Sequence, residues 1–183
     1  MILRRANIYD ATDIAKVHFK VWNDFHKERV SEPFLKHFNF EYRKKYWVKF
    51  INENRICFVV EEKGGSIDGF IVPGLKRLNE NENVGEILMH YVNNNQHFMQ
   101  NFSALLLSSA MLFRKNNANS MYTWIHREHG NVEKYKMLGA AETSAKVDRM
   151  DSKDIIKIKL EWNNLEDYIA EHEAILNDML VEF

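Results

Sequence analysis

Ile56-Cys57-Phe58-Val59-Val60 and Ile67-Asp68-Gly69-Phe70-Ile71-Val72 are two apolar runs joined by Lys63-Gly64-Gly65-Ser66. Paired glycines accept positive φ without a Cβ penalty, so this spacing predicts a β-hairpin. Pro73-Gly74 is expected to end the second strand, and the polar stretch 75–84 reads as a surface loop. Outward from the hairpin, Gly85-Glu86-Ile87-Leu88-Met89-His90-Tyr91-Val92 has the apolar content of an interior strand. Asn93-Asn94-Asn95 is loop-forming. A helix is expected over 100–116, with Phe102, Leu105, Leu106, Ala110 and Phe113 on one face. A strand at 121–125 follows, then a short helix at 132–138 stopped by Gly139. Two strands, 143–150 and 155–162, precede a last helix at 165–181, where Leu165, Tyr168, Ile169, Leu176, Met179 and Leu180 share a stripe.

Toward the N-terminus, Ile2-Leu3-Arg4-Arg5-Ala6 reads as an opening strand. Asp10 or Thr12 caps a helix whose apolar stripe is Ile14, Val17, Val21, Trp22 and Phe25, with His18 among them. A second helical region spans 31–52, with Pro33 in its first turn and a break expected at Asn39-Phe40. The order β, α, α, β, β, β, α, β, α, β, β, α predicts an α/β (α+β) chain with a mixed central β-sheet flanked by helices. One domain over 1–162 is expected, with 163–183 as a C-terminal amphipathic helix packed on it or forming a homodimer contact.

The 183 residues suffice for a sizeable core, and 45% hydrophobic with 28% charged residues is globular composition. A formal net charge of −1 excludes a global basic field for nucleic acid or an anionic membrane. Cys57 is the only cysteine, which excludes an intrachain disulfide, and its apolar run marks it as a buried thiol rather than a nucleophile. An Arg4-Arg5 pair without an apolar segment behind it is no signal peptide, and no window reaches the ~18 apolar residues of a span. The expected location is the cytoplasm.

These pieces together resemble the GNAT superfamily of acyl-coenzyme A-dependent N-acyltransferases. Residues 2–22 look like its opening strand and first helix, and Gly69-Phe70 like the end of its hairpin. Residues 85–92 are similar to the strand that lines its active site. Trp124-Ile125 and Tyr135-Lys136-Met137-Leu138-Gly139-Ala140 resemble its closing segment. The resemblance covers residues 1–162 and implies a GNAT-like fold, acetyl-CoA or a similar acyl-CoA as donor, and a small-molecule or peptide amine as acceptor. The phosphate loop departs from the family's Q/R-x-x-G-x-G/A. It falls on His97-Phe98-Met99-Gln100-Asn101-Phe102, with Gln100 and Phe102 at the glycine positions. Those glycines allow backbone N–H groups close to the pyrophosphate. Phe98 or Met99 projecting over the loop would block it.

The resemblance implies roles for further residues. Tyr135 matches the tyrosine that protonates the coenzyme A thiolate, against a packed tyrosine. Glu86 matches a base position, against a strand-end carboxylate paired with a lysine. His90, four residues on, is expected on Glu86's face as a proton relay, against a core histidine. Cofactor contacts are expected from Met89, Tyr91, Val92, His97, Phe98, Gln100, Asn101, Phe102, Ser103 and Asn131. At the place of the family's cofactor-contacting asparagine stands Glu128. Trp22, Phe25 and His26, with Phe34 and Phe38, belong to the region that walls the acceptor pocket, against simple core packing. His126 and His129 lack partner ligands, so no metal is expected. Arg43-Lys44-Lys45 reads as a solvated helix face. The leading reading is direct acyl transfer to a primary amine. A non-catalytic GNAT-like binding module is the alternative, and a pocket for another acyl donor or an adenine-free ligand is a third.

Overall fold

The computed structural model describes residues 1–77 and 83–182. Its elements are β1 (Ile2–Arg5), α1 (Ala11–His26), α2 (Glu32–His37), α3 (Phe40–Asn52), β2 (Phe58–Glu61), β3 (Ile67–Arg77), β4 (Asn83–Val92), α4 (Phe98–Lys115), β5 (Ala118–His126), α5 (Val132–Met137), β6 (Ala141–Met150), β7 (Lys153–Trp162), α6 (Leu165–His172) and β8 (Leu180–Glu182). They divide into two compact units. The first holds Met1–Val72, Met89–Leu106 and Ile175–Phe183, and the second Pro73–Leu88 and Leu107–Ala174. β3, β4 and α4 contribute residues to both.

In the first unit the strand order is β4-β3-β2-β1-β8. The hairpin is as expected: Gly64 and Gly65 sit at φ +116° and +87°, and β2 and β3 pair antiparallel from Phe58↔Ile71 to Glu61↔Ile67. Phe70 meets Trp47 of α3, while a Cβ on Gly69 would point at Leu105 of α4. Successive strand residues face opposite ways. So α1 and α3 cover one face of this unit's sheet, and the first part of α4 covers the other. Ile14, Ala15, Val17, Trp47, Phe50, Val59 and Phe70 form the core on the α1–α3 side. Asn39 breaks the second helical region as expected, its side chain accepting from the N–H of Tyr42 at the start of α3.

In the second unit the order is β6-β7-β5-β4, with β4 and β5 parallel and the β5–β7–β6 run antiparallel. Gly85 is buried where a Cβ would collide with the Phe113 ring. Trp162 closes β7. Its indole donates to the carbonyl of Leu138 at 2.7 Å, and Tyr135 and Tyr168 pack on its ring.

Three expectations are corrected. The last helix does not run over 165–181. α6 stops at His172, a 3-10 segment spans Glu173–Asp178, and β8 pairs parallel with β1, Leu3 opposite Val181. An open strand edge offers more backbone hydrogen bonds to this tail than a lone amphipathic turn does. Pro73-Gly74 does not end β3, which continues to Arg77. β2 pairing stops at Ile71, so the missing N–H of Pro73 costs no bond there. The expected loop over 75–84 is correspondingly shorter. Its centre, residues 78–82, lies outside the described residues.

Candidate functional site

β4 decides what this chain can do. Its ladder with β5 runs from Asn83↔Ala118 to Ile87↔Thr123 and ends there, although both strands continue. At that end the Thr123 hydroxyl donates to the Ile87 carbonyl at 3.1 Å. The next residue, Leu88, is 47% exposed in mid-strand. Beyond the ladder β4 continues without β5 as its partner to the turn at residues 93–97 and to α4.

Glu86 lies in the second unit and His90 in the first. Glu86 pairs with Lys76 at 2.6 Å, which fits the strand-end carboxylate reading. His90 stacks on Phe102 at 4.1 Å, and burial pushes its pKa down to about 3. A ring that neutral at physiological pH is a poor proton acceptor.

The turn after β4 is held by polar side chains. Asn95 accepts from the His97 N–H at 2.9 Å and donates to Asp68 at 2.8 Å, and Asn101 donates to the other Asp68 oxygen at 2.6 Å. Asn101, Phe102 and Ser103 are buried. Phe98 stacks on Phe102 at 5.4 Å, and Met99 is 38% exposed. α4 begins at Phe98, two residues earlier than expected, so Gln100 lies within its first turn. The His97 amide, turned onto Asn95, is already engaged. Met89 and Tyr91 send their side chains into the α1–α3 core, and Val92 is buried. Any cofactor contact from this stretch falls to backbone.

Tyr135, in the second unit, is 3% exposed and sits edge-on to Trp162 at 5.7 Å. Asn131 is at the N-cap of α5 without a side-chain cap bond, and its carbonyl accepts from the Tyr135 N–H. His126 and His129 each accept a backbone N–H at Nδ1, from Glu128 and Asn131. Among the described residues no group of three or more His, Cys, Asp or Glu is placed to hold a metal ion. No helix among them is long and apolar enough to cross a membrane.

In the first unit the aromatic residues of α1 and α2 stack on one another. Trp22 meets His26 at 4.3 Å, Phe38 at 6.1 Å and Phe34 at 6.4 Å, and Phe25 meets His26 at 4.7 Å. Sequence reasoning missed the residue beneath them. Arg43 is only 4% exposed and is no solvated residue, unlike its neighbour Lys45. Its guanidinium lies 4.6 Å from the Trp22 ring and its Nη1 is 2.8 Å from His18 Nε2. Trp47 donates to His18 Nδ1 at 3.2 Å. Desolvation, then the Arg43 charge, push the His18 pKa down to about 3. Desolvation also lowers that of Arg43. The missed signal was spacing: Arg43, Trp47 and Phe50 stand at i, i+4 and i+7, one helical stripe.

No family model matches the chain. A curated relative, the uncharacterized N-acetyltransferase YuaI of Bacillus subtilis, is 25% identical over 134 residues, 73% of this chain and 76% of the relative. A GCN5-related N-acetyltransferase from Rhodopseudomonas palustris superposes with a TM-score of 0.66 at 12% identity, covering 88% of this chain and 94% of its own. The chain has the GNAT fold. A second solved structure, the acetyltransferase yncA from Salmonella typhimurium with acetyl-CoA, gives a TM-score of 0.63 at 13% identity over 89% of this chain and 93% of its own. The solved structures of similar fold thus include one seen with acetyl-CoA, and the resemblance read from the sequence holds at the level of the fold.

Proposed function

We propose that this GNAT-fold protein is an N-acyltransferase that moves an acetyl or similar acyl group from coenzyme A to a primary amine. The observation that carries the reading is the early end of the β4–β5 ladder, beyond which β4 is no longer paired with β5. The N-acetyltransferase names of YuaI and of the solved structures support it. In this reading the donor's pyrophosphate lies against the turn at 93–97 and the first turn of α4, where helix N–H groups favour an anion. Asn95, Asp68 and Asn101 hold that turn in shape without supplying glycines. Phe98 stacks on Phe102 beside that turn. The His97 amide is spent on Asn95, so affinity for acyl-CoA is expected below that of a glycine-bearing loop.

Acyl transfer needs a proton for the departing thiolate and a place for the ammonium proton. Tyr135 takes the first role, as the resemblance implies. Glu86, paired with Lys76, takes the base role rather than His90, whose ring stays neutral in its buried surroundings. With Cys57 buried and its thiol pKa raised by burial, attack is direct and without an acyl-enzyme.

Calorimetry with acetyl-CoA tests binding, and coenzyme A release over polyamines, aminoglycosides, amino acids and peptide N-termini tests turnover. With an acceptor in hand, Tyr135→Phe should lower kcat by about 100-fold with donor affinity unchanged. Neither binding nor release with any amine would leave the binding-module reading in front.

A further inference from the structure

Arg43 is a buried cation without a counter-ion. Its Nε and Nη2 have no hydrogen-bond partner among the described residues. Its only hydrogen bond there is the Nη1 contact with His18. Arginine cannot shed its charge to escape this, as a lysine can. Burial without an anion is costly, so such an arrangement is retained where something else repays it.

The two open nitrogens are not scattered. Nε and Nη2 form one edge of the planar guanidinium, the edge that meets a carboxylate with two parallel hydrogen bonds. Nη1, on the other side, is tied to His18, and the Trp22 ring covers the plane. Those contacts fix the fork's direction. Trp22 and Tyr91 beside it are half-buried, while Nε and Nη2 themselves are shielded from solvent. Trp22 in turn meets Phe34 of α2, a six-residue helix with none buried, and Phe38 just after it.

We propose that the Nε–Nη2 edge of Arg43 is a carboxylate subsite, and that the acceptor is an amine carrying a carboxylate and an apolar body, the chemistry of a free α-amino acid. The aromatic wall of Trp22, Phe34 and Phe38 takes the apolar body. Arg43 takes the carboxylate and so orients the amine. This rests on the acyltransferase reading for its role in turnover, but the carboxylate subsite itself stands apart from it.

The test separates the two. The full-length chain is screened by thermal shift against the α-amino acids, with and without acetyl-CoA. Any that bind are then titrated by calorimetry beside their amides. At least one amino acid should raise the melting temperature, with its amide bound about 100-fold more weakly, since one partner of a buried charged pair is lost. Arg43→Gln should bind acid and amide alike. Arg43→Lys, which keeps the charge but not the fork, should lose most of the preference. If Arg43→Gln does not fold, the Lys variant and the acid–amide ratio of the wild type decide. Equal affinity for acid and amide, or no binding by any amino acid in either condition, overturns the proposal. A carboxylate-dependent shift in a protein that ignores acetyl-CoA would uphold the subsite and sink the acyltransferase.

Discussion

Two arginines of the first unit are placed under opposite terms. Arg4, on β1, is met by two carboxylates: Asp10 at 2.7 Å and Glu61 at 2.6 Å. Asp10 also accepts from the Asn7 N–H, so one ion-pair cluster ties β1, the start of α1 and β2 together. Arg43, on α3, is more deeply buried and meets a histidine and an indole face instead. A charge answered on every side belongs to the fold. A charge left with an open edge is kept at the fold's expense, which is why Arg43 and not Arg4 points to a ligand.

The comparison can be broken in three ways. Arg4→Met should be the most damaging change, because it strands Asp10 and Glu61 in a partly buried corner. A loss of about 3 kcal/mol is expected, seen as a melting temperature lower by roughly 6–12 °C. A loss within error would mean that the cluster is an exposed ornament and that the contrast with Arg43 is empty.

Acid tests the other region. The pKa of His18 is about 3 in the folded chain, against 6.5 as its ordinary value. Below pH 6.5 the unfolded chain takes up a proton that the folded chain refuses, so stability falls as pH falls toward 3. Between pH 6.5 and pH 5 this one ring should cost about 2 kcal/mol. Urea unfolding of the wild type and of His18→Gln across that range reads the difference, the variant being the flatter. Parallel curves would place the acid sensitivity elsewhere.

Arg43→Met is the smallest effect and the most telling, because its sign is opposite to that of Arg4→Met. Replacing an unpaired buried cation with an apolar side chain of similar reach should raise the stability of the ligand-free protein by about 1 kcal/mol. That is a gain of roughly 2–4 °C. A loss as large as that of Arg4→Met would make Arg43 a structural brace.

The parts of the fold legible in the sequence are those fixed by neighbours in the chain. Gly64-Gly65 makes its turn whatever surrounds it, Asn39 caps α3, and Gly139 at φ +86° ends the segment after α5. Parts fixed by distant partners were not legible. The last residues become a strand only because β1 offers an edge, and Pro73 stays in β3 only because β2 has stopped pairing. In the candidate site, the residue types along β4 and the loop were legible. The point at which β4 parts from β5 was not, since it leaves no mark in composition. Arg43 was hidden by Lys44 and Lys45, whose charge made the whole run look solvated.

His18 lies between two groups that only give hydrogens, the Trp47 indole and the Arg43 guanidinium. A neutral imidazole has one nitrogen free to receive, so one of its two contacts always sets hydrogen against hydrogen. Charging the ring would make matters worse, and turning it over merely exchanges the two nitrogens. The shortage is one of atom type and not of position, so no rotamer cures it.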